Sequence, residues 1–185
     1  MSAHALVMPV CPPTAGQVEL RPFTEADIAM LLDLSTDPYV PLTGTLPSHT
    51  DATGARAYIE RQHGRLATGA GYSFCVARRT DGEAVGQIGL WLAQLSEGRA
   101  TAGYGIAPRA RGHGFGHQAL SALTEFAWTV PGLHRIELYV EPWNGASRRV
   151  AETAGYAYEG LLRSHQEIGG ERVDMRLYSS IRPSR

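Results

Sequence analysis

The sequence predicts a mixed α/β fold in one domain. Short apolar alternations follow one another closely between Tyr72 and Ala107 and return after Arg135 and Tyr156, the pattern of strands joined by short turns. Runs at helical spacing interrupt them near residues 28–34, 51–66, 120–130 and 144–154. No stretch repeats, and no linker divides the chain.

Taken in order, residues 1–17 carry three prolines and no sustained period, so a weakly ordered tail is expected as far as Gln17, with a single domain over 18–185. Val18–Arg21 reads as a strand. Thr24 and Asp27 form a capping pair for a helix whose apolar face is Ile28, Leu31, Leu32 and Leu34. The Pro-, Thr- and Ser-rich segment from Ser35 to Thr50 reads as a loop, long enough to cover a site. A second helix follows from about Asp51 to Leu66, with Tyr58, Ile59 and Leu66 at compatible spacings.

Strands are expected at Tyr72–Ala77, Ala84–Leu92 and Ala100–Ala107, the last after a turn at residues 96–99. Leu120, Leu123, Phe126, Ala127 and Val130 then mark a helix that Pro131-Gly132 ends. Arg135–Val140 alternates as a strand, and residues 144–154 return to helical spacing before Gly155. Two last strands, about 156–168 and 171–180, flank Gly169-Gly170, a hairpin signal.

Composition excludes several classes. Net charge is −1 over 185 residues, unlike a protein held to nucleic acid by phosphate electrostatics, so no direct nucleic-acid partner is expected. Two cysteines, Cys11 and Cys75, make neither a disulfide framework nor a metal set, and the seven histidines show no H-E-x-x-H spacing, so no metal is expected. With no apolar run of roughly 18 residues and no signal-peptide pattern, a cytoplasmic protein without membrane partners is expected.

The stretch RARGHGFGHQAL, Arg109 to Leu120, places three glycines immediately before a helix. One reading is a flexible strand-to-helix turn. The other is an anion cradle, because unpaired N–H groups at a helix start point outward and glycines let a diphosphate approach the backbone. Arg111 would add a charge, and His113 and His117 side-chain donors. A Walker loop needs a lysine that the chain lacks, and the G-x-G-x-x-G dinucleotide fingerprint has His117 where its third glycine belongs.

Arg111-Gly112-His113-Gly114-Phe115-Gly116 fits the R/Q-x-x-G-x-G/A signature of the GNAT-superfamily N-acetyltransferases. YGIAP (104–108), LHRIELYVEPWN (133–144), NGASRRVAETAGYAYEG (144–160) and GGERVDMRLYS (169–179) agree. Across residues 18–181 the chain resembles the subgroup containing the ribosomal-protein N-terminal acetyltransferases.

That resemblance implies a GNAT fold: a central, mostly antiparallel mixed sheet flanked by helices, whose central strands, ending at Ile106-Ala107 and Val140-Glu141, splay apart. Acetyl-coenzyme A (acetyl-CoA) is the implied cosubstrate, its pantetheine arm lying in the gap beside Ile106 and Ala107. Its pyrophosphate would rest on Arg111, Gly112, His113, Gly114, Phe115, Gly116 and His117, and Asn144 would touch its arm. The implied chemistry is direct attack of a neutral amine on the thioester. A backbone N–H near Ile106 would hold the oxyanion, and Ser147 would serve the departing thiolate.

Ser147 and Asn144 also suit a plain helix cap. Glu141 is a candidate general base or a solvated strand-end carboxylate. Gln166 stands where some relatives carry a glutamate, and Glu167 faces the other side of a regular strand. Trp91 and Trp128 are expected to be packing residues, and Trp143 packing or part of an entrance. The acceptor implied is a primary amine, first a protein N-terminus and second a small-molecule amine. A non-catalytic acyl-CoA-binding regulator is the third reading, and a homodimer through the last strands would cover an exposed edge.

Overall fold

Residues 6–184 are described by a computed structural model of the chain. Within them the apolar alternation becomes an eight-stranded sheet. Its strands are β1 (Thr14–Ala15), β2 (Val18–Arg21), β3 (Gly71–Arg78), β4 (Ala84–Trp91), β5 (Arg99–Ile106), β6 (Arg135–Val140), β7 (Ala157–Ile168) and β8 (Glu171–Ile181). Their order is β1-β2-β3-β4-β5-β6-β8-β7, antiparallel throughout except for the parallel pair β5/β6.

Among the described residues five α-helices cover the two faces: α1 (Ile28–Leu34), α2 (Val40–Thr43), α3 (Ala52–Ala67), α4 (Phe115–Ala127) and α5 (Gly145–Thr153). Strand alternation sorts the core into two layers. Leu20, Phe74, Ile136 and Leu138 pack with Leu120 and Leu123 of α4 on one face. On the other, Cys75 joins Leu31 and Leu34 of α1 and Tyr58 and Ile59 of α3. Each fully buried side chain of this size contributes roughly 1.5–3 kcal/mol.

Local signals explain most element starts. A 3-10 turn at Glu25–Asp27 leads into α1, and Asp27 accepts from the Thr24 N–H (2.8 Å) and from both Nη atoms of Arg21 (2.8 and 2.7 Å). Asp51 caps α3 by accepting from the Gly54 N–H at 2.8 Å. Gly169 and Gly170 turn β7 into β8 with φ of +62° and +85°, the positive values a two-residue type I′ turn requires at both positions.

Two regions differ from the expectation. Residues 6–17 are not a loose tail: Thr14 and Ala15 pair with Glu19 and Val18, the Gln17 N–H donates to Gln118 Oε1 at 2.7 Å, and Leu6 and Met8 pack on the core. A two-residue strand has no period to detect. Met1–Ala5, the rest of the expected tail, lie outside the described residues. The 35–50 segment contains the short α2, whose single turn is likewise below the reach of a helical period.

The site is positioned by the centre of the sheet. β5 and β6 pair only from Arg99/Arg135 to Thr101/Glu137, and beyond that they separate. No helix among the described residues is long and apolar enough to cross a membrane.

Candidate active site

The separation of β5 from β6 leaves backbone groups turned into the gap. The Gly98 carbonyl accepts from the Arg135 N–H (3.0 Å), while the Ala107 N–H donates to Val85 on β4 (3.0 Å). Alternation between those two anchors turns the backbone of Tyr104 and Ile106 away from β4 and toward β6. Ile106 therefore stands where a donor for an oxyanion is expected. Ala107 does not: its N–H belongs to Val85 and its carbonyl accepts from the Ala110 N–H at 2.8 Å. With both backbone groups engaged within the protein, the expected place of Ala107 beside a cosubstrate arm would rest on packing and not on hydrogen bonding.

The glycine loop lies at the end of this gap, and its three glycines serve two purposes. Gly112 and Gly114 have φ of +84° and +76°, a left-handed backbone that other residues adopt at a cost. Gly114 is the N-cap of α4, and a Cβ there would lie 2.9 Å from His117 Cε1; nothing stands within 4 Å of the corresponding point on Gly112. Gly116 is instead a packing residue, since its Cβ would lie 3.2 Å from Val150 and 3.5 Å from Tyr104. Phe115 buries its ring and stacks on the exposed His113 at 5.6 Å, so its offer to a ligand is its N–H.

Arg111 is not a free cation. Its Nε donates to the Ile106 carbonyl at 3.0 Å and its Nη2 to Asp37 at 2.5 Å. Burial raises the Asp37 carboxyl, but hydrogen bonds from the Val40 N–H, Arg111 and the Tyr39 N–H outweigh it and hold the pKa below its ordinary value. Arg111 thus straps the loop to the α1–α2 connection.

Across the gap, α5 begins at Asn144, whose Oδ1 accepts from the Ser147 N–H at 3.0 Å. The capping role is real for Asn144, and it leaves the Ser147 hydroxyl uncommitted to the cap. Tyr104 supplies what sequence reasoning missed. Its hydroxyl is buried without a hydrogen-bond partner among the described residues. Burial raises its pKa to about 12, with neighbouring Ser147 opposing the rise, so it is protonated at neutral pH. An orphaned buried donor beside Ser147 fits a group that enters the gap. Tyrosine in an alternating strand carries no sequence signal that separates it from core.

A cavity of about 340 Å³ joins this point to the α3 face of the sheet. Tyr104, Asn144 and Ser147 stand at one end, and Tyr58, Gln62 and Arg65 line the other. Gln166 lines it too, whereas Glu167 does not, in keeping with alternation along β7. Glu141 is buried, not solvated, and its carboxylate lies against Tyr39, whose pKa is raised by burial and then by Glu141. It does not line the cavity. Trp91, expected as packing, lines the cavity as well; Trp143 is exposed and meets Tyr39 edge-on at 4.9 Å. Among the described residues no group of three His, Cys, Asp or Glu is placed to hold a metal ion.

Comparisons with known proteins agree with this geometry. Residues 17–157 match the family model described as an acetyltransferase (GNAT) domain. The uncharacterized N-acetyltransferase p20 of Bacillus licheniformis is 27% identical over 166 residues, covering 90% of this chain and 93% of its own. The structure of RimL, a ribosomal L7/L12 α-N-protein acetyltransferase in complex with coenzyme A, superposes with a TM-score of 0.76 at 20% identity, covering 91% of this chain and 96% of that one. Spermidine N-acetyltransferase of Vibrio cholerae, in complex with coenzyme A and spermine, gives 0.70 at 20% identity, covering 89% and 95%.

Proposed function

This chain belongs to the GNAT acetyltransferase family and is an acetyl-CoA-dependent N-acetyltransferase; from that premise we propose that its acceptor is a protein α-amino group. The observation that carries the reading is the single cavity running from the β5/β6 gap to the opposite face of the sheet. It lets thioester and amine meet from two sides.

In this reading the N–H groups from Gly112 to His117 hold the pyrophosphate at the start of α4, and the Tyr104 and Ile106 backbone pairs with the pantetheine arm. The amine nitrogen bonds to the thioester carbonyl carbon. The Ile106 N–H steadies the oxygen as it gains charge. The carbon–sulfur bond then breaks, and the thiolate takes up the proton that the amine nitrogen gives up, carried by water in the cavity. Ser147 donates a hydrogen bond to that sulfur, and Tyr104, protonated and otherwise unpartnered, backs Ser147.

An α-amine, with a pKa of about 7.7–8.0, is partly neutral near physiological pH, whereas a lysine amine at roughly 10.4 is not. A strong base is therefore unnecessary. Glu141, shielded from the cavity behind Tyr39, holds that ring in place, and cavity water takes the amine's proton.

Product mass tests the acceptor. The protein is incubated with acetyl-CoA and, separately, peptides with free N-termini, the same peptides Nα-blocked but carrying lysine, and small amines. Acetylation of free N-termini is expected. Products from small amines alone would move the chain to metabolite modification, and coenzyme binding without any product would favour a regulator.

A further inference from the structure

The acceptor end of the cavity is neutral except for one kind of charge. α3 presents Tyr58, Gln62 and Arg65 toward it, positions that share a helix face. The neutral groups satisfy one another: the Tyr58 hydroxyl donates to Gln87, and the Ser73 hydroxyl donates to Gln62 Oε1 at 2.9 Å. Among the described residues no carboxylate lines this cavity.

Among the described arginines, seven, from Arg21 to Arg135, have a carboxylate within ion-pair distance. Arg65 is one of the nine that do not, and the one of them that lines this cavity. Its guanidinium instead lies 5.2 Å over the Trp91 ring, on the cavity wall. Arg61 adds a second cation nearby, 5.8 Å over the Tyr58 ring, with Nη2 donating to the Thr45 carbonyl at 2.9 Å. Stacking holds the planar fork in place while leaving its edge N–H groups free to bind an anion in pairs.

We infer that the acceptor carries a carboxylate close to its amine, and that Arg65 binds that carboxylate. The inference rests on the acetyl-transfer reading and narrows its substrate class. A positive wall without a counter-charge lowers the pKa of an entering amine and so favours the nucleophilic form. The same wall repels a polyamine, whose additional ammonium groups find no carboxylate here. A peptide with an acidic residue at its start and a free acidic amino acid share the required chemistry.

The test measures kcat and KM for matched acceptors: peptides beginning with Asp or Glu against Asn or Gln, free glutamate against glutaminamide, in which both carboxylates are replaced by amides, and spermidine. Wild type is expected to favour the acidic member of a pair at least about tenfold in kcat/KM, the size of a hydrogen-bonded charge contact. Arg65→Gln should erase that preference through KM, with acetyl-CoA affinity unchanged as the control for folding; Arg65→Lys should restore part of it. Preference confined to the peptide pair identifies a protein source, and preference confined to glutamate a metabolite source. Equal rates within every pair, an intact preference in Arg65→Gln, or spermidine as the best acceptor would overturn the inference and leave acetyl transfer standing. No acetylation of any acceptor would overturn both.

Discussion

The Ser147 hydroxyl, left uncommitted while its N–H caps α5 on Asn144, is the side chain on which turnover should depend most. Ser147→Ala is expected to lower kcat by about tenfold to a hundredfold, corresponding to about 1.4–2.7 kcal/mol of barrier, while the Kd for acetyl-CoA changes little. Steady-state kinetics beside calorimetric binding checks this, and equal turnover would remove Ser147 from the chemistry. Tyr104→Phe removes the orphaned donor; since that hydroxyl gains no hydrogen bond in the unliganded fold, stability should hold or rise while kcat falls. The cap that Asn144 places on the Ser147 N–H was legible in the sequence because the spacing of a capping pair survives without coordinates. Tyr104 was not, because only the separation of two strands distinguishes it from a core tyrosine. Arg111 was legible in position but not in role: its partner, Asp37, lies 74 residues away.

The glycine loop and its helix are the elements on which cosubstrate binding should turn. Gly114→Val forces a branched side chain onto a φ of +76° and against His117, so acetyl-CoA affinity should fall by more than about tenfold, roughly 1.4 kcal/mol. Calorimetry of a variant shown to be folded by circular dichroism measures it; unchanged affinity would end the cradle argument. Gly116→Val should behave differently. The added side chain strikes Val150 across the α4/α5 contact, and overpacking of this kind costs about 1–3 kcal/mol, so its first effect is on melting temperature. One motif in the sequence thus contains two physical functions, and only packing tells them apart. The helices and the long strands were legible because their periods run for many residues. β1 and α2, with two and four residues, have no period to read, and pairing with β2 and the wrap of the 35–50 segment create them.

At the scale of the molecule, the sheet order and the split between β5 and β6 follow from long-range pairing, which local sequence patterns do not encode; they became legible only through the family resemblance. Ion pairs fasten the sheet's far edge to its centre. Glu159 on β7 accepts from Arg135 on β6 at 2.9 Å and from the Ser179 hydroxyl on β8 at 2.6 Å. Arg135 and then Ser179 hold its pKa down to about 2, against an ordinary value of 4.5. A carboxyl depressed in the fold stabilises it fully above the unfolded value. That contribution is lost as pH falls from about 4.5 toward 2. Melting temperature should therefore drop across this window, and Glu159→Gln should flatten the drop. An identical pH profile in the variant would show that the link contributes nothing.

The central claim is that the β5/β6 gap and the glycine loop together form the acetyl-CoA site. Hydrogen exchange at individual backbone amides, with and without coenzyme A, tests it most directly. Binding should slow exchange at Tyr104, Ile106 and the amides from Gly112 to His117, while Ala107, already bonded to Val85, changes little. Protection elsewhere in the chain with these amides unaffected would contradict the account.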